Sequence, residues 1–326
     1  MDGTLVGAPI VAIPTGGGRP HLPGGNVCRS PGRPATNERG MTVAIERIGI
    51  IGSGIMGSGI AEVAASTGHS VVLRSRSIDS ANAMLAGLRK SLARQVEKGR
   101  REQTDADAIA ARVTATADLT DLADCDLVLE SVVEDLDVKL ALFRELDGIV
   151  KADAIIATNT STLPVVEMAM ATGRPGQVCG VHFFNPAPAM SLVEIVRPMT
   201  ADDATITAVT EFARACGKDP VEVADRAGFI VNALLFPYLN NAVKLLENGI
   251  ANRDDIDTAM KGGCNFPMGP LQLLDLVGLD TSVAILDALY DEFRDPNFSP
   301  APRLRRMVSA GHLGRKSGVG FYDYRK

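Results

Sequence analysis

A glycine-rich turn near the start of the chain constrains its fold more than any other segment. Residues 47–51 form an apolar run, three glycines follow at Gly52, Gly54 and Gly57, and an apolar helical periodicity resumes at Ile55. A strand, a tight turn and a helix start in this order suit a dinucleotide pyrophosphate. The first glycine permits the turn, the second admits the phosphates, and the third lets helix and strand pack closely. Because the free amides of the first helical turn then face the anion, the segment predicts a nucleotide site.

Strand and helix patterns alternate after this turn. The predicted strands, which are short and mostly apolar, cover residues 70–73, 112–116, 126–131 and 154–158. Alternation of this kind indicates βαβ units and a parallel sheet. From residue 228 onwards only helical patterns remain, at 229–247, 252–260 and 271–290. The sequence therefore predicts an α/β protein, with a doubly wound Rossmann-type sheet at 43–226 and an all-α C-terminal domain at 227–326.

The first 42 residues differ in composition from the rest of the chain. Residues 1–40 contain nine glycines and six prolines. Such a composition cannot build a core and predicts a disordered tail. Met41 directly precedes the first globular segment, so we hypothesise that translation starts there.

The overall composition excludes several classes of protein. The net charge of −6 argues against a nucleic-acid binder, which would show a basic surplus. No apolar run approaches the ~20 residues that span a bilayer. The five cysteines (Cys28, Cys125, Cys179, Cys216 and Cys264) include no C-x-x-C pair and are expected to be reduced, mostly buried thiols. These features predict a cytoplasmic protein with no metal cluster and no membrane partner.

The end of the second predicted strand bears on the choice of cofactor. A dinucleotide fold meets the adenosine ribose about 20 residues after the glycines, and an NAD site usually places a carboxylate there. This chain has Ser75 instead, flanked by Arg74 and Arg76. Because arginine binds phosphate through a bidentate fork, the segment favours a 2′-phosphate, and hence NADP over NAD. Two solvated arginines in a loop are the alternative.

The predicted helix at 80–99 has one apolar stripe and one basic side. The basic side includes Arg94 and Lys98, and Ser91 lies seven residues before Lys98 on the same face. The pattern is typical of a solvated helix face, and it also suits a docking surface for a polyanionic ligand tail.

A histidine and a carboxylate lie on two segments that are expected to pair. The strand from Val178 carries His182 and runs into a turn at Pro186, and the chain returns at 191–196 with Glu194. A carboxylate beside an imidazole fixes its tautomer and stabilises the imidazolium, which makes the histidine a workable base. A hydrogen-bonded structural histidine is the alternative.

Other polar residues follow the predicted strands. Ser75, Glu134 and Ser161 each come after the end of a strand. Ligands of open α/β sheets gather beyond the carboxyl ends of the strands. We therefore expect these three side chains on the same rim as the glycine turn.

Six motifs together resemble one known family. They are the glycine turn at 52–61, Asn159-Thr160-Ser161, His182-Phe183-Phe184-Asn185-Pro186, Gly228-Phe229-Ile230-Val231-Asn232, Pro267-Met268-Gly269-Pro270 and Leu313-Gly314-Arg315-Lys316-Ser317-Gly318. The chain resembles the short-chain L-3-hydroxyacyl-CoA dehydrogenases, which include bacterial 3-hydroxybutyryl-CoA dehydrogenases, from about Ile48 to Tyr324. The resemblance implies hydride transfer between a nicotinamide cofactor and C3 of a short-chain (S)-3-hydroxyacyl-CoA, in fatty-acid β-oxidation or butanoate metabolism. It also implies a homodimer.

The resemblance assigns expected roles to the matched residues. His182 is the general base that takes the 3-hydroxyl proton, Glu194 orients it, and Ser161 and Asn232 hydrogen-bond the substrate oxygen. The expected coenzyme A contacts are Ser91 and Lys98. By the resemblance, Glu134, Lys139, Asn185 and Lys316 contact the cofactor near the nicotinamide. The arguments above from the glycine turn and the end of the second strand add as expected cofactor contacts Gly52, Ser53, Gly54, Ile55, Met56 and Gly57 in the turn and Ser75 and Arg76 at the ribose. The chain departs from the family at Ser75, where the family has a ribose-binding aspartate.

The sequence is also compatible with two other functions and with two structural roles for the segment 271–279. A dehydrogenase of a free hydroxy acid, such as L-gulonate, has the same fold and would not need Ser91 and Lys98. A non-catalytic nucleotide-binding protein similar to the lens crystallins of this fold would not need His182 and Glu194. The apolar segment 271–279 suits either a dimer interface or a buried core helix.

Overall fold

The computed structural model of the chain describes residues 45–325 and contains one sheet of eight strands. The strands are β1 (Arg47–Ile51), β2 (Ser70–Arg74), β3 (Val113–Thr116), β4 (Leu127–Glu130), β5 (Ile155–Thr158), β6 (Val178–Phe183), β7 (Leu192–Arg197) and β8 (Asp219–Ala224). Their order across the sheet is β3-β2-β1-β4-β5-β6-β7-β8. Strands β1 to β6 are parallel, whereas β7 is antiparallel to β6 and β8 is parallel to β7.

Eleven α-helices connect and follow the strands in the described residues. Those between strands are α1 (Ile55–Ser66), α2 (Ile78–Glu97), α3 (Gln103–Ala111), α4 (Leu136–Asp147), α5 (Val165–Met170) and α6 (Asp203–Ala215). Those after the sheet are α7 (Val231–Glu247), α8 (Arg253–Cys264), α9 (Pro270–Val277), α10 (Leu279–Phe293) and α11 (Pro302–Ser309). The architecture confirms the predicted fold class, a doubly wound sheet followed by a helical region.

Three details differ from the sequence-based expectation. Strand β8 is not predicted, because it is an exposed edge strand with no continuous apolar run. The predicted helical stretch 271–290 is interrupted at Gly278, whose φ of +105° ends α9 before α10 begins. The sheet is also not wholly parallel, since β7 and β8 run against the other six strands. The predicted tail at 1–42 and Cys28 lie outside the described residues.

The core lies on both faces of the sheet and within the helical region. Ile48 and Ile50 pack on the face covered by α1 and α2, whereas Ile51 packs on the opposite face. Alternation along β1 produces this division, because successive strand residues point to opposite faces. The third core, in the helical region, includes Leu271 and Leu274 of α9. The core-helix interpretation therefore accounts for these two leucines of segment 271–279.

Two further expectations concern membranes and thiols. Within residues 45–325, no helix combines the length and apolarity that crossing a membrane requires. Cys125, Cys179 and Cys216 are buried, as expected, whereas Cys264 is exposed. Burial raises the pKa of the Cys125 thiol to about 11, so this thiol stays protonated at neutral pH.

A single carboxylate joins the first strand to the fourth. Asp126, just before β4, accepts hydrogen bonds from the backbone amides of Glu46 (2.8 Å) and Arg47 (2.7 Å) and from the Lys151 ammonium (2.5 Å). Burial disfavours the charged carboxylate, but the bonds from Arg47, Lys151 and Glu46 outweigh it and lower the pKa of Asp126. Asp126 therefore stabilises the fold in its charged form.

We expect Asp126→Asn to lower the free energy of unfolding by about 1–3 kcal/mol at pH 7, because one charged acceptor is lost. A carboxyl whose folded-state pKa is lowered stabilises the fold above its unfolded pKa of about 3.9 and loses that effect as pH falls further. The difference between wild type and variant should therefore shrink below about pH 4 in urea titrations. Asp124→Asn, at an exposed carboxylate two residues away, is the control. A difference independent of pH would contradict this account of Asp126.

Candidate active site

Two of the three glycines in the turn are sterically required by the chain itself, and the third is not. Gly52 has a φ of +137°, and a Cβ there would overlap the carbonyl oxygen of Ser131. A Cβ at Gly57 would lie 2.6 Å from the carbonyl oxygen of Gly52. Gly54, the N-cap of α1, would meet nothing within 4 Å. Gly52 and Gly57 are thus required by the packing of the chain, whereas the space beside Gly54 is open.

The glycine turn opens onto a large cavity of about 1290 Å³. Residues after β1, β2, β4 and β5 line it, together with one side of α4 and the start of α10. The lining residues include Ser53, Ile55, Met56, Ser75, Arg76, Glu134, Ser161 and Asp280. The cavity therefore lies beyond the carboxyl ends of the parallel strands, where this class of sheet binds ligands.

The end of β2 forms the cavity wall at the expected ribose position. Ser75 is 4% exposed and Arg76 is exposed, and both line the cavity. Arg74 donates from Nε to the carbonyl of Ala117 (3.3 Å), and burial lowers its pKa, opposed by the nearby carboxylates of Glu145 and Asp118. The Arg74 charge is therefore partly balanced by protein groups.

A histidine–glutamate pair lies on the β6–β7 hairpin. His182 and Glu194 are direct register partners of the two antiparallel strands, which places their side chains on the same face. His182 Nδ1 lies 2.7 Å from Glu194 Oε2, and both residues are buried. Since a carboxylate only accepts hydrogen bonds, Nδ1 carries the proton and Nε2 keeps its lone pair in the neutral imidazole. Nε2 lies 3.2 Å from the Ser161 hydroxyl.

The second oxygen of Glu194 binds the start of the helical region. Glu194 Oε1 accepts hydrogen bonds from the backbone amides of Ile230 and Val231, each at 3.0 Å. These amides belong to the N-terminus of α7, where a negative charge is favourable. Asn232 lies in the first turn of α7 and is buried. One carboxylate therefore connects the His182 strand to the helix that carries Asn232.

The loop that carries Ser161 is held by a second carboxylate network. Glu134 Oε1 accepts from the Ser161 amide (2.9 Å) and from the Thr160 hydroxyl (2.5 Å). Lys139 lies 3.4 Å from Glu134 and 2.7 Å from Glu130. Lys139 is 1% exposed and does not line the cavity. It reaches the cavity wall through Glu134.

Eight other expected site residues are also absent from the cavity lining: Gly57, Ser91, Lys98, His182, Asn185, Glu194, Asn232 and Lys316. His182 adjoins the cavity through its contact with Ser161. Asn185 is exposed in the turn after β6, and Lys316 pairs with Asp280 of the cavity wall (2.6 Å). Ser91 lies in the second half of α2 and Lys98 at its C-cap, and neither lines the cavity. The described residues also contain no group of three or more side chains placed to hold a metal ion.

Sequence reasoning missed part of the network beneath the site. Glu130 is fully buried at the end of β4 and accepts from the Thr158 hydroxyl at the end of β5 (2.7 Å). The available signal was a polar residue at the end of each otherwise apolar strand. Because a buried charge is expected to be paired and a buried hydroxyl to be hydrogen-bonded, Glu130 and Thr158 each indicate a partner elsewhere in the chain. The partner of Glu130, Lys139, was predicted only as a cofactor contact.

The fold and the site together define a nicotinamide-dependent dehydrogenase. The glycine turn suits a dinucleotide, and a carboxylate-oriented histidine beside the cavity can exchange a proton while hydride moves. Comparison with known families gives the finer class. Residues 47–226 match the family model of the 3-hydroxyacyl-CoA dehydrogenase NAD binding domain, and residues 228–324 match the C-terminal domain of the same enzymes. The chain belongs to the 3-hydroxyacyl-CoA dehydrogenase family.

Individual relatives are similar over most of their length. A 3-hydroxybutyryl-CoA dehydrogenase of Mycobacterium tuberculosis is 47% identical over 290 residues, which cover 87% of this chain and 100% of the relative. The human mitochondrial hydroxyacyl-coenzyme A dehydrogenase is 41% identical, covering 87% and 92%. The crystal structure of (S)-3-hydroxybutyryl-CoA dehydrogenase from Ralstonia eutropha matches with a TM-score of 0.85 at 41% identity, covering 87% and 100%.

The different surroundings of Gly52 and Gly54 lead to a test. We expect Gly54→Ala to leave the melting temperature unchanged, since its methyl group meets no protein atom, but to weaken nicotinamide dinucleotide binding about tenfold or more. Gly52→Ala should instead destabilise the fold by about 1–3 kcal/mol or more, because of its positive φ and the Ser131 carbonyl. Calorimetric titration with NADH and NADPH and thermal melts separate the two effects. Equal behaviour of the variants would contradict the distinction.

Proposed function

We propose that this protein is a 3-hydroxybutyryl-CoA dehydrogenase, interconverting (S)-3-hydroxybutyryl-CoA and acetoacetyl-CoA with NAD(P). The observation that carries the proposal is the His182 imidazole, with Nδ1 held by Glu194 and Nε2 facing Ser161. The family of the chain and the names of its relatives support the substrate class. A spectrophotometric assay with acetoacetyl-CoA tests it directly, and turnover of free hydroxy acids alone would favour the alternative enzyme.

In the oxidation direction, His182 acts as general base. Its Nε2 lone pair takes the proton of the substrate 3-hydroxyl, and Glu194 stabilises the imidazolium that forms. The nicotinamide cofactor, when bound, supplies the hydride chemistry at C3. The Ser161 hydroxyl and the Asn232 amide hydrogen-bond the substrate oxygen and hold it near Nε2. In the reduction direction, the same imidazolium returns the proton.

The surroundings of His182 support this role. Its ring lies 4.6 Å from the Phe184 ring and 5.4 Å from the Phe229 ring, measured between centroids. Apolar rings exclude water from the imidazole and strengthen its interaction with Glu194. The Ser161 hydroxyl both lines the cavity and contacts His182, so a substrate oxygen that replaces this contact would lie between cofactor and base.

For the cofactor we propose NADP in preference to NAD. No carboxylate follows β2 at the ribose position, and Ser75 cannot accept two ribose hydroxyls as a carboxylate does. Arg76 is the better phosphate ligand, because it is exposed at the cavity wall while Arg74 is engaged with Ala117. Glu134, Asn185 and Lys316 are proposed to act at the nicotinamide half of the cofactor, and Lys139 through Glu134.

The remaining assignments concern coenzyme A, the assembly and the compartment. We assign the basic side of α2, with Ser91 and Lys98, to the coenzyme A moiety, since its cations suit phosphates.

A homodimer through the helical region would cover exposed apolar side chains such as Leu234 (72% exposed) and Leu276 (49% exposed). The scattered cysteines suit a reducing compartment, and we propose the cytoplasm.

The His182–Glu194 pair predicts a specific effect of Glu194→Gln. The glutamine carbonyl can still accept from Ile230 and Val231, but its amide donates to Nδ1, which moves the imidazole proton to Nε2. We expect kcat with acetoacetyl-CoA to fall about 10²–10⁴-fold, as in His182→Gln, with little change in melting temperature. The double variant should be no worse than either single variant. If either single variant kept the wild-type kcat, the result would contradict the proposed roles of His182 as general base and of Glu194 as its orienting partner.

The cofactor assignment predicts that wild-type kcat/KM is higher with NADPH than with NADH. Loss of one charge-assisted phosphate contact in Arg76→Ala should lower kcat/KM for NADPH about 10–100-fold and leave NADH little changed. Ser75→Asp should shift the preference towards NADH, because it restores the ribose carboxylate. Arg306→Ala, on α11, is the matched control. A strong preference of the wild type for NADH would overturn the assignment.

A further inference from the structure

A buried lysine outside the proposed catalytic group holds the turn that follows the His182 strand. Lys218, just before β8, is 9% exposed. Its Nζ donates to the carbonyl of Ala187 (2.7 Å) and to that of Met190 (2.8 Å), and it forms no ion pair among residues 45–325. Burial lowers the pKa of Lys218. A buried ammonium without a carboxylate partner is costly and rare, and in this chain two backbone carbonyls take the place of the carboxylate.

Both carbonyls belong to the turn 184–191 between β6 and β7. Within this turn, the amides of Ala189 and Met190 donate to the carbonyl of Pro186 at 2.9 and 3.1 Å. The amide of Asp219, next to Lys218, donates to the carbonyl of Ser191 at 2.8 Å. Lys218 and Asp219 together thus donate to three carbonyls of one turn. Because converging carbonyl oxygens repel one another, a cation between them favours this turn geometry.

The opposite side of the turn packs against α1, the helix that begins at the glycine turn. A Cβ at Gly59 would lie 3.3 Å from both the Ala187 Cβ and the Pro188 Cδ. Ala187 is itself 2% exposed. The turn is therefore held between the Lys218 ammonium and the closest part of α1.

We propose that Lys218 is a positioning residue for the nicotinamide side of the site. It fixes the turn 184–191 against α1, and thereby fixes Asn185 relative to both the cofactor helix and His182. This inference rests on the proposed function, since it assumes that Asn185 lies near the nicotinamide. The proposed coenzyme A contacts do not belong to this arrangement. Ser91 lies in α2 and Lys98 at its C-cap, whereas Lys218 donates to Ala187 and Met190.

Lys218→Met tests the proposal, since methionine keeps the apolar stem and removes the donors. We expect hydrogen–deuterium exchange to increase in peptides covering 184–191, while β7 stays protected. We also expect the KM for the nicotinamide cofactor to rise about tenfold and kcat to fall about tenfold, with the KM for acetoacetyl-CoA unchanged. Lys218→Arg, which keeps the cation, should recover at least half of the lost kcat.

A second variant disturbs the same turn without removing the ammonium. Gly59→Ala adds a methyl group at 3.3 Å from the turn and suits a helix interior, so the chain should fold. It should change exchange in 184–191 and cofactor KM in the same direction as Lys218→Met, even if the latter is unstable. Lys261→Met, at an exposed position of α8, is the control and should behave as wild type.

The outcomes distinguish this proposal from the proposed function. Wild-type protein that does not turn over acetoacetyl-CoA would contradict the function, whereas the exchange measurement still tests the role of Lys218 in the turn. An active wild type with unchanged exchange, KM and kcat in Lys218→Met and Gly59→Ala would overturn the positioning role. So would a lower melting temperature with unchanged kinetics, because that result describes a purely structural lysine.

Discussion

The hydrogen bonds of the Glu194 carboxylate connect the two halves of this molecule. One oxygen binds His182 on the sheet, and the other binds the amides of Ile230 and Val231 at the start of α7. A buried carboxylate needs such partners, because an unpaired charge in the protein interior is strongly disfavoured. The orientation of the imidazole and the placement of the helix that carries Asn232 therefore depend on the same charge. The antiparallel register of β6 and β7 makes this possible, since it sets His182 directly opposite Glu194.

A similar arrangement supports the other side of the imidazole. Glu134 binds the loop of Ser161, and Lys139 balances both Glu134 and the fully buried Glu130. Glu194 and Glu130 are buried and shielded from solvent, whereas the Glu134 side chain is 40% exposed, so solvent weakens its pair with Lys139 more. Glu194 lies within β7, and the loop of Ser161 is bonded to Glu134, so both groups that contact the His182 ring nitrogens are held in place. Fixed donors and acceptors lose little order when a substrate binds.

The sequence predicted those parts of the molecule that have a local signature. The glycine turn, the apolar strands and the return of the chain after Pro186 depend on neighbouring residues, and the structure has them close to the expected places. Strand β8 has no such signature, because it is an exposed edge strand. The sequence contains only an indirect signal for the role of Lys139, a carboxylate at the end of the apolar strand β4, and the folded chain shows that Lys139 and Glu130 are both buried and paired. Lys218 is a further case, because its partners are backbone carbonyls, which no side-chain pattern reveals.

The glycines of the turn have a consequence for how related chains can diverge. Gly52 and Gly57 are fixed by contacts within the protein, whereas Gly54 borders open space. A descendant that stopped using a dinucleotide would still need glycine at the first and third positions to keep strand and helix together. Only the middle position would be released from selection. Of the three glycines, the middle one therefore carries the information about retained cofactor use, whereas the other two report on the packing of strand and helix.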